Sequence, residues 1–464
     1  MTTKKTIVTA LLVLITQCVP LSHSQSRDFQ MDGTVLVKYN GSAKNVTIPA
    51  GVTAIGYSAF EGCTSLASIT IPSSVTYIGR NAFENTAWLD SQPDGLVYAG
   101  KVLYKYKGTM PTNTIINNIR ADTVAIADGA FYDCTSLTNI TIPSSVTSIG
   151  DGVFSACRSL TNITIPSSVT SIGRQAFVNC TSLTSVTIPS GITAIGSGAF
   201  LGCSNLTSIT IPSSVTSIGN EAFENTAWFN SQPNGLVYAG KVLYKYKGGR
   251  DMPYNTVNIR ADTIAITSSA FAHCTSLTSI IIPSSVTSIG SYAFAHCTSL
   301  TSIIIPSGIT SIEDFTFTGC TSLTSIIIPS RVTSIGRQAF AGCTSLTSIT
   351  IPSSVTSIGR DAFSYCTSLT SITIQEGVTD IAFQAFSYCT SLTSITIPNS
   401  VTYIGPSAFR NCTSLTSITM SNSITFIDRS CFADCSSLTS IKVSRRTTID
   451  DRAFPSTARI TYSD

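Results

Sequence analysis

The hydrophobic and polar positions of this chain recur in a fixed order with a period of 23 residues. One unit reads Ile335-Gly-Arg-Gln-Ala339-Phe340-Ala-Gly-Cys343-Thr-Ser-Leu346-Thr-Ser-Ile349-Thr-Ile351-Pro352-Ser-Ser-Val355. Ile349, Thr350 and Ile351 alternate as a short strand does, with every second side chain on the same face. Pro352 has no N–H to give to a ladder and ends that strand. Val355 and Ile358 supply the next inward positions, and Gly359 permits a tight bend. Ala362 and Phe363 then place a small and a large residue in the next layer of core. The Phe position recurs sixteen times from Phe60 to Phe454. A fixed period of this size predicts stacked turns sharing one continuous core, so the length of 464 residues does not imply several domains. Sixteen stacked turns span on the order of 75 Å.

Cysteine keeps the same beat. It falls at Cys134, Cys157, Cys180 and Cys203, and resumes at Cys274, Cys297, Cys320, Cys343, Cys366, Cys389, Cys412 and Cys435. Each stands three residues after the Phe and just before Thr-Ser-Leu or a close variant. A small, buried, reduced core position accounts for this regularity. A disulfide framework is the competing reading for an exported chain, although regular stacking need not supply the dihedral a disulfide requires. His273 and His296 precede two of these cysteines one turn apart, but no ligand spacing of the CxxC type accompanies them, so no metal or other cofactor is expected.

The beat is interrupted twice, from Cys63 to Cys134 and from Cys203 to Cys274, by 71 residues each time. Both gaps hold the same variant unit, offset by 140 residues, near 84–125 and 224–265. Leu96-Val-Tyr98 and Val102-Leu-Tyr104-Lys-Tyr106 flank a short Gly-containing turn and predict a hairpin. The two units concentrate aromatic residues: Trp88, Tyr98, Tyr104 and Tyr106 in the first, Trp228, Tyr238, Tyr244 and Tyr246 in the second. Two readings stand side by side. The rings pack over an irregular turn whose lysines guard an exposed edge, or they form binding hot spots.

The outward strand position carries a further signal. It is threonine at Thr141, Thr164, Thr187 and Thr210, and again at Thr350, Thr373, Thr396 and Thr419, but isoleucine at Ile281, Ile304 and Ile327. Three adjacent turns thus place an apolar stripe where their neighbours place a hydroxyl. Such stripes mark contacts, and drift at a position tolerant of any β-former is the alternative.

Composition narrows the function. Charged residues are 11% and the net charge is +3 with no long run of one sign, which argues against nucleic-acid binding. Hydrophobic residues at 43% are enough for a core, so the Ser/Thr richness does not signal disorder. Lys4 and Lys5, the apolar run from Ile7 to Val19, and Ser22-His23-Ser24 predict a secretory signal peptide over 1–24. No later stretch reaches the length of a transmembrane helix. Acidic residues show no paired, repeated placement, and neither a nucleophile elbow nor a phosphate loop is present, so no enzyme activity is expected.

The repeated L-x-x-I-x-I-P-x-S-V-x-x-I-x-x-x-A-F-x-x-C-x-S pattern over nearly all of 30–457 resembles the BspA-like leucine-rich repeats of bacterial and protist surface proteins. The resemblance implies a leucine-rich-repeat solenoid, a curved right-handed superhelix with a parallel sheet of short strands on one face. In this scheme 25–56 caps the N-terminus, 57–457 is the solenoid and 458–464 a tail. It differs from the commoner leucine-rich repeat in carrying serine, for example Ser354, where asparagine is usual, so serine hydroxyls must satisfy the backbone there. It further implies a secreted or cell-surface protein that binds protein ligands, host extracellular matrix proteins or other cells, without catalysis. A spacer in a surface layer, with no specific ligand, is the alternative.

Overall fold

The computed structural model describes residues 28–248 and 255–463, and the signal segment expected at 1–24 lies outside them. The chain is a parallel-strand solenoid of about 18 turns at the 23-residue spacing the pattern predicts. The turn beginning at Leu346 shows why. Ser348–Ile351 is a strand in which Ile349 and Ile351 are buried and Ser348 and Thr350 exposed. It pairs in parallel with Ser371–Ile374, serine on serine and isoleucine on isoleucine. Equal turn lengths keep every side chain over its counterpart, so register never slips between faces.

The pattern predicts one sheet, and the structure adds a second, narrower ladder. Ser357–Ile358 pairs with Asp380–Ile381, and equivalent two-residue strands recur along the chain. Gly359 follows at once. A Cβ there would lie 2.7 Å from the carbonyl carbon of Gly336 in the turn below, so only glycine allows this backbone approach.

The remaining arc of each turn has no strand, yet its amides are used. Donors alternate between the next turn and their own. Asp361, Phe363 and Tyr365 donate to Phe383, Ala385 and Ser387 at 2.9, 2.7 and 2.9 Å, while Ala362, Ser364 and Cys366 donate backward to Gly359, Asp361 and Phe363. Buried backbone groups are therefore paired without regular secondary structure.

Threonine and serine complete the pairing. Thr347 Oγ1 donates to the Thr324 carbonyl at 3.4 Å and Thr370 to Thr347 at 3.1 Å, and the column continues turn after turn. Ser354 Oγ donates to the Val332 carbonyl at 2.6 Å, as Ser168 does to Val146 and Ser74 to Val52. Serine thus satisfies the bend that an asparagine ladder would otherwise hold, as the departure from the commoner repeat required.

Phenylalanine rings stack down the interior, Phe317 on Phe340 at 5.3 Å and Phe340 on Phe363 at 5.1 Å, nearly parallel. The N-terminal end is covered by an antiparallel pair, Phe29–Asp32 with Val35–Tyr39. There Tyr39 stacks on Phe60 at 5.1 Å and takes the Phe position of the first turn. At the other end Arg459–Ser463 adds a parallel strand beside Ser440–Ser444. The apolar interior divides into three clusters, over 29–127, 103–265 and 243–453. The divisions coincide with the two variant units.

Candidate functional site

The cysteine column faces inward. The cysteines among the described residues are free thiols, and those from Cys157 through Cys203 and from Cys274 through Cys435 are buried, while Cys134 is half-buried. The thiol also has a partner. Cys366 Sγ donates to the Phe340 carbonyl of the previous turn at 3.2 Å, and Cys157, Cys297, Cys343 and Cys435 repeat the bond with Phe131, Phe271, Phe317 and Phe409. Cysteine therefore fills a small apolar site and also covers a carbonyl that alanine would leave half-satisfied. Burial pushes the Cys320 and Cys366 thiols up to about 12. Bonding to Cys203, then burial, raises that of Cys180. Such groups stay protonated at neutral pH and are poor nucleophiles and metal ligands.

The two variant units form seams whose aromatic residues are engaged within the chain. A single helical turn, Ala87–Asp90, is capped by Thr86, whose hydroxyl accepts from Leu89 N at 3.1 Å. It sets the buried Trp88 edge-on to Phe83 at 4.8 Å, and Trp228, half-buried, meets Phe223 at 5.1 Å in the same way. Gly95–Ala99 and Val102–Lys107 then form the antiparallel hairpin the sequence predicts. In regular turns the Phe amide donates to the next turn's backbone, as Phe154 does to Ala176. At the seam that carbonyl is missing, and the buried Tyr104 hydroxyl accepts from Phe83 N at 3.0 Å instead. Tyr244 serves Phe223 identically at 3.1 Å. Tyr106 donates its backbone N–H to Ala130 at 2.8 Å and so takes the Phe rung, as Tyr246 does with Ala270.

The outer rings are half-buried and also paired. The Tyr98 hydroxyl accepts from Arg120 N at 3.0 Å under the Arg120 guanidinium, and Tyr238 is matched with Arg260 in the copy. The lysines complete the seam. Lys105 pairs with Glu84 at 2.9 Å, and Lys107 Nζ donates to the carbonyls of Asp90 and Gln92 after the helical turn.

The isoleucine stripe has no such engagement. Ile281, Ile304 and Ile327 stand on adjacent strands, 60%, 82% and 83% exposed. Ile304 is in register with Ile327, and Ile281 follows Asn258 in the same outward column. Their strand neighbours Ile280, Ile303 and Ile326 are buried, so the row stands outside a complete core. From 263 to 312 the sequence contains no Asp, Glu, Lys or Arg. Few ionic groups are therefore available beside the row.

The arc holds residues whose character the sequence did not reveal. Two positions per turn adopt the left-handed conformation, for example Asp361 at φ 56° and Tyr365 at φ 60°. In other turns glycine fills them, as Gly319 and Gly342 do, but here bulky residues stack in pairs: Tyr292 with Phe315 at 4.4 Å, Tyr365 with Tyr388 at 4.5 Å, His273 with His296 at 4.9 Å. Stacking offsets a backbone conformation that large side chains avoid. The signal was the alternation of Gly, Asn and Asp with aromatics before the cysteine. Burial, then the charge of His273, lowers the pKa of His296. Among the described residues no group of three or more His, Cys, Asp or Glu converges as metal ligands would.

A family model for the BspA type leucine rich repeat region matches in six copies, over 37–95, 104–231, 250–370 and 356–463. The chain belongs to this family. Its repeats resemble those of a leucine-rich repeat protein from Bacteroides ovatus, 26% identical over 93% of this chain and 94% of that one, with a TM-score of 0.44. They also resemble a leucine rich cell surface protein from Faecalibacterium prausnitzii, 34% identical over 75% and 92%, with a TM-score of 0.33. The pneumococcal vaccine antigen PcpA is 15% identical over 94% and 90%, with a TM-score of 0.32. No curated protein gives a significant match. Proteins of this family commonly lie at the cell surface and engage other proteins. No helix among the described residues is long and apolar enough to cross a membrane.

Proposed function

We propose that this BspA-type repeat protein is exported and holds protein partners on its strand face, as an adhesin for matrix proteins or other cells, without catalysing a reaction. The exposed isoleucine row carries the reading. A soluble face normally keeps such side chains few and scattered, and three in register on adjacent strands form a contiguous apolar contact. The seam aromatics do not carry it, because packing and hydrogen bonds already engage them.

The test compares the mature chain with the variant Ile281→Thr, Ile304→Thr, Ile327→Thr, which restores the residue found in neighbouring turns. Binding to immobilised matrix proteins and to whole cells should weaken at least about tenfold, which is about 1.4 kcal/mol. Unchanged affinity removes the row from the mechanism. Export is tested separately by the mass of the mature N-terminus, expected to begin at Gln25, and by fractionation into medium, membrane and wall. An unprocessed cytosolic chain would end the surface reading. A binding screen that stays blank while the chain is retained in the envelope would favour the spacer alternative.

A further inference from the structure

We infer that the isoleucine row receives an amphipathic α-helix of a partner protein, lying along the solenoid axis across the strands. This rests on the binding role proposed for the row and names the occupant. The row runs perpendicular to its strands, so its side chains repeat at the interstrand spacing of about 4.8 Å. A helix laid along it offers one apolar contact per turn at about 5.4 Å, slipping by only about 0.6 Å per strand. An extended segment repeats on one face at about 6.6 Å, a slip of nearly 2 Å per strand and almost 4 Å across the row. A polyproline helix repeats about every 9.3 Å, close to two strand spacings, and would meet Ile281 and Ile327 while skipping Ile304. Ile304 is central and 82% exposed, and only the α-helix engages all three residues in step.

Charge and area agree. The absence of Asp, Glu, Lys and Arg from 263 to 312 offers no ionic partner beside the row, so the helix presents an apolar ridge there and its charges lie on the far side. Three isoleucine side chains expose far less than the roughly 800 Å² per partner of a standard stable interface, so a second copy of this chain is not the occupant. The neighbouring outward residues Ser279, Ser302 and Ser325 are small, leaving lateral room for a helix about 10 Å wide.

The test pans a phage-displayed library of random 16-residue peptides on the full mature chain, with subtraction on the Ile281→Thr, Ile304→Thr, Ile327→Thr variant. The expected clones are enriched at least tenfold on the native chain and carry apolar residues at i, i+3 or i+4, and i+7. Their synthetic peptides become helical when bound, and bind equally in 0.1 and 0.5 M NaCl. Ile304→Thr alone should weaken them about tenfold. Enriched clones with strictly alternating or proline-spaced apolar residues overturn the helix and leave the row as a binding site. Clones that bind native chain and triple variant alike, or no enrichment at all, overturn both. Matching circular dichroism and melting curves certify the triple variant, and Ile304→Gln provides a second substitution at the centre.

Discussion

The two seams and the isoleucine row invert what their residue types suggest. Tryptophan and tyrosine gathered on a duplicated hairpin look like a binding surface, yet Trp88 and Tyr104 lie inside, closing gaps where the regular turn is broken. Isoleucine inside a run of isoleucines looks like core, yet Ile304 and Ile327 stand almost fully in solvent. Residue type sets what a side chain can do, and position within the 23-residue turn decides which of those things it does. In a solenoid, a deviation that restores a missing backbone partner is structural. A deviation with no partner at all is the better candidate for contact.

If that contrast is right, perturbing the interior should cost stability without changing recognition, and perturbing the row should do the reverse. The largest interior effect comes from alkali. The column thiols have folded pKa values raised by burial, so above about pH 8.5 the unfolded chain loses protons that the folded chain keeps. Stability is therefore full below that pH and falls as pH rises, by up to about 1.4 kcal/mol per pH unit for each such thiol until its folded pKa is reached. Urea titrations between pH 7 and 11 should show this decline, and a flat profile would contradict the buried column. Next, Trp88→Ala should destabilise the N-terminal cluster by about 3–5 kcal/mol, with partner affinity unchanged for the folded fraction. Lost affinity at full stability would make the seam a binding site after all.

Tyr104→Phe is subtler. It keeps the ring and removes the acceptor of the Phe83 N–H, so it should cost about 1–3 kcal/mol in denaturant melts, and Tyr244→Phe should do likewise at the second seam. Smallest in stability, and largest in recognition, is the triple isoleucine-to-threonine variant. Its melting curve should stay within about 0.5 kcal/mol of the native chain. A clear loss of stability would show that the row packs against something within the chain.

Much of this was legible in the sequence because burial repeats with the turn. Leu346, Ile349, Ile351 and Phe363 announce their inward direction by recurring, and the cysteine beat fixes the register. Ser354 could be assigned to the bend because a carbonyl there needed a donor. The second ladder was not legible, since two residues such as Ser357 and Ile358 are too short to show a period. The role of the Tyr104 hydroxyl was hidden because it answers a missing rung in the preceding turn, twenty-one residues back. The stacked pairs on the arc were hidden because left-handed backbone is usually read from glycine, and here tyrosine and histidine adopt it. The outward direction of Ile304 followed from alternation, but its exposure depended on nothing folding over it.

The division of the interior into three clusters has a mechanical consequence. A rod in which each turn touches only its neighbours transmits load through a chain of nearest-neighbour interfaces, and its weakest joints decide where it parts. Here the joints are two, and they recur at a fixed interval because the block that carries them was duplicated. Pulled from its ends, the molecule should lengthen in a few large steps, each releasing one section while the others keep their shape. A tether of that kind absorbs a sudden pull and keeps the isoleucine-bearing section folded after the first joint has opened.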